Sequence, residues 1–299
     1  MASSEKRVMT SSSAPRPKAD SGDIYASIYD EVFADETLLP TMPDVAVRLR
    51  AVMSDPNYDL NRVARIIQAD AGVSAYLVRM ANSALLRWTP PVKDVPGAVR
   101  RIGMQVTRNV VTAHALRTMF RIKTPVLVDV MQETWKRSTR VAALSAVLAK
   151  RCGVFTSDRA LLAGLLQDIG ALPILNALDR RRPHREQRQQ VCTVVEALSA
   201  SIGAMLLQRW GMDEEFVTVA RSRNDWLRDG GPNADLVDLV LIARAHVLVG
   251  SPNTGERPRL DRMPAFRKLA LGPVAPDDSL ALFAEAESDV REVEELLGV

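Results

Sequence analysis

The chain is poor in the residues that carry most metal and thiol chemistry. Its 299 residues include two cysteines and three histidines. Cys152 and Cys192 stand alone, in neither a disulfide framework nor a zinc-ligand spacing. His114 and His246 fall in apolar helical stretches on separate faces, and His184 lies among arginines, so the three form no set. Aromatics make up 5%, and β-branched alternation is nearly absent, which argues against a sheet protein. No run of about 18 apolar residues, the length a transmembrane helix needs, is present. The opening residues, MASSEKRVMTSSSAPRPKADSGD, lack the apolar segment of a signal peptide and read as a disordered tail. Gly-x-Ser-x-Gly, P-loop, Gly-x-Gly-x-x-Gly and EF-hand patterns are all missing. Ser199 and Ser201 have no histidine–acid set in the sequence, so no nucleophile is proposed.

What is present is 47% hydrophobic and 25% charged, the balance of a cytoplasmic globular chain with a sizeable core. Apolar residues recur at helical spacing almost throughout. Leu39-Pro40-Thr41-Met42-Pro43 is an extended lead-in, because residues before proline avoid the helix. Asp44 is expected to cap a helix carrying Val45, Val47, Leu49 and Val52, and Asp59 a second with Leu60, Val63, Ile66 and Ile67. A third spans about 74–82. Asp94 caps the next, with Pro96 in its first turn and Gly103 ending it. Another helix carries Val106 to Met119. Long helices follow over 126–151 and 191–210, with Ser157-Asp158 capping one between them and Gly211 stopping the second. Shorter ones are expected over 214–226, 235–249, 264–271 and 279–297.

The net charge of +3 conceals an asymmetry. Residues 277–295 carry a net −7, so the rest of the chain carries +10. Arg180, Arg181, Arg182, Arg185 and Arg188 form the densest basic cluster, read either as a solvated loop between helices or as a patch for phosphate or an acidic partner.

The stretch that organises the chain is LLAGLLQDIGAL, residues 161–172. Leu161, Leu162, Leu165, Leu166 and Ile169 keep helical spacing, which predicts a buried helix. Asp168 in so apolar a run needs a partner, because an unpaired buried charge is very costly.

Three further elements stand with it: Leu39-Pro-Thr-Met-Pro43, Ile67-Gln-Ala-Asp70, and Val78-Arg-Met-Ala-Asn-Ser83 followed by Val92, Val95, Ala98 and Ile102-Gly103. Together they resemble the HDOD domain, a helical bacterial signalling module related to the metal-dependent HD phosphohydrolases. The resemblance covers about residues 37–249 and implies an all-α, multi-helix HD-like domain. Its expected organisation is a disordered tail over 1–36, an HDOD domain over 37–250, and a linker with acidic C-terminal helices over 251–299. The HDOD domain would divide into helical subdomains at 37–122 and 123–250. Asn82 and Ser83 stand where the family has its Asn-Ser pair, which also reads as a helix C-cap and turn.

In the HD hydrolases the central stretch reads Gly-Leu-Leu-His-Asp-Ile-Gly. Carrying the ligand positions across by their flanking residues puts Arg137 at the first histidine and Gln167-Asp168 at the His-Asp pair. Ser199 or Ala200 falls at a later histidine, Arg223-Asn224 at the paired histidines and Arg244 at the final aspartate. Only Asp168 is kept. Guanidinium groups have no lone pair to offer and repel a cation, so no metal, cofactor or hydrolysis is expected. Arg137, Arg244 or both are expected to neutralise Asp168 instead.

The resemblance then implies a non-catalytic regulatory module that binds a protein partner in a signalling pathway. With about 36 residues before the domain, too few for a receiver or cyclase domain, its signal is expected to come through that partner. Two alternatives stand beside it. One is a nucleotide or cyclic dinucleotide held by Arg137, Arg223 and Arg244 in the vestigial site. The other is nucleic-acid binding through the Arg180–Arg188 loop, disfavoured by the absence of interleaved aromatics and by the acidic C-terminus.

Overall fold

A computed structural model describes residues 27–32, 39–55, 59–83, 85–86, 90–119, 122–181, 188–249, 257–271, 283–284 and 287–297. Among these residues there are twelve numbered α-helices and no strand. They are α1 (Asp44–Met53), α2 (Leu60–Gln68), α3 (Ala71–Ala81), α4 (Val95–Arg117), α5 (Pro125–Cys152) and α6 (Ser157–Leu166). Then come α7 (Ala171–Arg180), α8 (Arg188–Arg209), α9 (Glu214–Arg221), α10 (Leu236–Val247), α11 (Pro264–Leu269) and α12 (Glu287–Leu297).

The 28-residue α5 is the axis of the molecule, packing against α6, α7, α8, α10 and α12. The first three helices pack on one another and on α4, and α4 joins them to α6. Two polar contacts reinforce that junction. Asn109 of α4 donates to the buried Asp158 carboxylate of α6 at 2.7 Å, and the Trp210 indole donates to the Pro40 carbonyl at 2.9 Å.

Local chemistry sets many element ends, at Asp59 and Asp94 as the sequence predicts, while the third helix starts at Ala71, behind an Asp70 cap, rather than at about 74. Asp59, Asp70 and Asp94 each accept a backbone N–H as N-caps, and Asp235 and Asp238 form a reciprocal capping box. Gly103 sits at φ 78° inside α4, the left-handed conformation that glycine tolerates, and kinks the helix there. The Asn82 amide closes the turn after α3 from both sides. It donates to the Val92 carbonyl and accepts from the Val92 N–H, each at 2.9 Å. Ser83 returns its hydroxyl to the Met80 carbonyl at 2.8 Å.

Several expectations need correction. Asp44 does not cap α1: Pro43 holds the N-cap and Asp44 lies in the first turn. Val47 is 46% exposed, because the inward stripe of α1 is Ala46, Leu49 and Val52. Thr156 occupies the N-cap of α6, and Asp158 turns inward to Asn109. The helix expected through 214–226 stops at Arg221. Residues 27–32, placed in the disordered tail, are helical, with Ile28 and Val32 buried in the core and Glu31 paired with Arg181. Their i, i+4 apolar spacing is the signal that marks them.

The most consequential difference lies in the central stretch. It is not one helix: α6 ends at Leu166, residues 167–170 form a tight turn, and α7 begins at Ala171. Two glycines bring this turn against its neighbours. A Cβ on Gly164 would stand 2.5 Å from the Ala142 Cα of α5, and one on Gly170 would stand 2.2 Å from the Ser199 carbonyl of α8. By length and composition, the stretches Ser157–Arg180 and Arg188–Arg209 could each cross a membrane. The first is 94% buried in the protein core and broken by this turn; the second is half buried against α7 and α9.

Gly170→Ala should therefore force α7 and α8 apart and cost about 3 kcal/mol, the upper range for overpacking. Thermal unfolding measures it, and a variant within about 0.5 kcal/mol of the parent would show that the close approach is not required.

Candidate functional site

Breaking the helix at Leu166 puts Gln167 and Asp168 on a turn, with both side chains directed into the protein. Gln167 is fully buried and the Asp168 side chain is 1% exposed. An isolated carboxylate there would be untenable. It is instead met from two helices, from the turn after α9 and from its neighbour Gln167. Arg137 of α5 donates from Nε to Oδ2 at 3.0 Å, and Arg244 of α10 from Nη1 to the same oxygen at 3.0 Å. Gln167 donates from Nε2 to Oδ2 at 2.9 Å. Arg223, just past α9, approaches Oδ1 side-on, with Nε at 2.7 Å and Nη2 at 2.5 Å. Five donor contacts saturate the lone pairs of one carboxylate.

A second carboxylate, Glu196 of α8, completes the centre, and the sequence reading missed it. It accepts from Arg223 Nη2 at 3.1 Å and Asn224 Nδ2 at 2.8 Å, and lies 3.6 Å from Arg244 Nη2. Arg244 also donates to Gln167 Oε1 at 2.7 Å and to Asn224 Oδ1 at 3.3 Å. The charge count was the available signal. Three arginines and one aspartate call for another acid, and Glu196 lies one helical turn before Ser199 on α8. The structure thus brings Arg137, Gln167, Asp168, Arg223, Asn224 and Arg244 to one point. Ser199 stays outside the network and donates to the Val195 carbonyl of its own helix.

Electrostatics follow from who shares whom. Burial alone would raise the Asp168 carboxyl, but Arg223, Arg244 and Arg137 outweigh it and hold it well below the ordinary range. Glu196 is lowered in the same way, burial being overcome by Arg223 and Arg244. The two fully buried arginines diverge. Burial disfavours the charged form of both, yet Arg223 touches both carboxylates and is raised. Arg244 shares Asp168 and is repelled by Arg223, and is pushed down to about 10. It remains charged at neutral pH. Its Nε, buried, has no hydrogen-bond partner among the described residues.

The arginine cluster of the 180–188 segment does not gather into one described patch. Arg181 turns to Ser27 and Glu31, and Arg188 pairs with Glu133 of α5. Arg180 is exposed, and Arg182 and Arg185 lie outside the described residues, as does His184.

An all-helical fold of this kind is the architecture of the HD and HDOD helical proteins. The chain matches the HDOD domain over residues 39–226 and belongs to that family. A solved structure named as a candidate metal-dependent phosphohydrolase of Shewanella amazonensis SB2B is similar at 26% identity and a TM-score of 0.80, covering 93% of this chain and 99% of its own. An HDOD domain protein of unknown function from Geobacter sulfurreducens is similar at 22% identity and TM-score 0.62, covering 93% and 98%. An uncharacterized protein of Treponema pallidum (strain Nichols) is 24% identical over 210 residues, which are 66% of this chain and 39% of that protein.

The HDOD domain is a degenerate HD-related domain, often non-catalytic. The divalent metal of the HD hydrolases does not fit this centre. Three guanidiniums face the carboxylate where a cation would sit, none can ligate one, and both Asp168 oxygens are already taken. Among the described residues no group of three or more His, Cys, Asp or Glu could hold a metal ion.

Asp168→Asn removes the shared acceptor charge and leaves three buried or half-buried arginines facing one another. The expected loss at pH 7 is about 3–5 kcal/mol. Because the folded carboxyl lies below its ordinary value of 3.8, its stabilisation is complete above that pH and is lost as the pH falls toward the folded value. The difference in Tm between parent and variant should therefore be constant from neutral pH down to about 4 and narrow below it. A gap that stays constant into strong acid would contradict the assignment.

Proposed function

We propose that this chain is a non-catalytic regulatory module of bacterial signal transduction that acts by binding a protein partner. The observation that carries the reading is the Asp168 centre: the position a catalytic metal would need is filled by arginines in a closed hydrogen-bonded network. Membership of the HDOD family supports a regulatory, HD-related role, and the cytoplasm is the compartment that suits it.

The division into a tail, subdomains at 37–122 and 123–250 and a C-terminal extension is retained as a proposal. The C-terminal helix uses its apolar side internally. Val290, Val293 and Leu297 are buried, and α12 packs on α5 and α3, so its acidic side, with Glu287 and Glu295 exposed, faces outward. That acidic face and the arginine-rich segment from Arg180 are the surfaces assigned to the partner. Nucleic-acid binding loses ground, since Arg181 and Arg188 are already paired within the chain.

Two measurements test the proposal. With Mg²⁺, Mn²⁺, Fe²⁺ or Ni²⁺ the purified chain should hydrolyse bis(p-nitrophenyl) phosphate no faster than its heat-denatured control; metal-dependent turnover would sink the non-catalytic reading. Tagged protein retained on a column and offered native-host lysate, with and without nuclease, should recover one defined protein in both samples. That recovery should weaken in a Glu287→Lys, Glu295→Lys double variant or in Arg180→Glu. Recovery that vanishes with nuclease would transfer the assignment to nucleic acid.

A further inference from the structure

Beside the buried centre lies an open cleft of about 780 Å³ between α5, α8 and α10, within the roughly 300–1,000 Å³ range of small-molecule sites. Its charged lining is unbalanced. Lys136, Arg137, Arg140, Arg188 and Arg244 face two carboxylates, Glu133 and Glu196. The acids are also committed: Glu133 pairs with Arg188, and Glu196 with Arg223 and Asn224.

The cations, by contrast, have capacity left. Among the described residues, Arg137 engages Asp168 through Nε alone, leaving its two terminal nitrogens without a partner. Among the described residues, Arg140 is paired with Glu294 of α12 alone, at 3.8 Å. Lys136 has no partner among the described residues, and the buried Nε of Arg244 has none either. The inner centre does not offset the imbalance: the groups it adds, Arg223 and Asp168, neutralise one another. Thr193, Gln189 and Cys192 line the same cleft and offer neutral hydrogen-bonding groups beside the cations.

We propose that this cleft binds an anionic small molecule, a phosphate-bearing organic ligand of about nucleotide size, held by Arg137 at the floor and by Lys136 and Arg140 at the rim, over the buried charge of Arg244. The unengaged terminal edge of the Arg137 guanidinium suits the bidentate geometry of a phosphoryl group. The apolar lining, Val130, Val195, Ala197, Val247 and Leu248, suits an organic body better than a bare ion. No bond is made or broken. This inference does not depend on the partner-binding reading, and either can fail alone.

The full chain is titrated by calorimetry and thermal shift with inorganic phosphate, citrate, mononucleotides, sugar phosphates and cyclic dinucleotides, in low and moderate salt. At least one phosphorylated organic ligand should raise Tm in a concentration-dependent way, bind more tightly than phosphate alone, and weaken with salt. Lys136→Ala with Arg140→Ala, both on the rim and outside the buried network, should lower that affinity by roughly tenfold or more while leaving the unliganded Tm unchanged. The same ligand should slow alkylation of Cys192 but not of Cys152. No saturable binding to any of these probes, or binding that the double variant and Cys192 protection do not register, would overturn the site. Citrate binding as tightly as the phosphorylated ligands would overturn the phosphate assignment.

Discussion

Everything in the second half of this fold converges on one carboxylate. Asp168 sits on a turn that exists because the helix stops at Leu166. Its two oxygens are met from α5, from α10 and from the segment after α9. At an effective dielectric near 20, unit charges about 4 Å apart interact by about 4 kcal/mol. One aspartate cannot satisfy three guanidiniums without leaving them to repel one another, and Glu196 reduces that repulsion from the α8 side. The centre is therefore a polar cross-brace among helices whose remaining contacts are mostly apolar, tied by both acids and by the two amides, Gln167 and Asn224.

The geometry of that brace depends on glycine. Gly164 and Gly170 flank the turn and allow backbone to meet backbone, α6 on α5 and the turn on α8. Any side chain at Gly170 would push the turn outward and lengthen the contacts that Arg223 and Glu196 make around it. Packing and electrostatics are thus the same constraint expressed at two positions. The close approach sets where Asp168 lies, and Asp168 determines which side chains can be buried beside it.

Much of this was legible in the sequence, and the reasons are specific. Asp168 in an apolar run demanded a partner, and the resemblance to the HD proteins pointed to Arg137 and Arg244. The caps at Asp59 and Asp94 are local chemistry, readable from a few neighbouring letters. Glu196 was not legible in that way. It lies on a helix whose polar residues repeat without a sharp face, and its relevance appears only when the charges are counted across four separated segments. The break at Gln167 was hidden for a different reason. Leucine periodicity runs on through Ile169, and the interruption is imposed by α8 pressing on Gly170, a tertiary contact with no local signature. Residues 27–32 were obscured by the composition of the tail before them, although Ile28 and Val32 carry the apolar pair that buries them.

The same centre also links the interior of the protein to its surface. Arg223 is wholly enclosed, but Arg137 and Arg244 belong both to the Asp168 network and to the lining of the cleft. Arg244 is the less satisfied of the two enclosed arginines: its charge is disfavoured by burial and by Arg223, and one of its donors is unused. An anion arriving in the cleft would therefore act on a network already short of negative charge. It would be felt at once by α5, α8 and α10, the helices that Arg137, Glu196 and Arg244 tie together. Through Arg140 and Glu294 the effect would extend to α12, whose acidic outer face is the surface proposed for a partner. Where the HD resemblance implies metal ligands this centre holds arginines, and under the proposed reading the demand they leave unmet is for an anion rather than a cation.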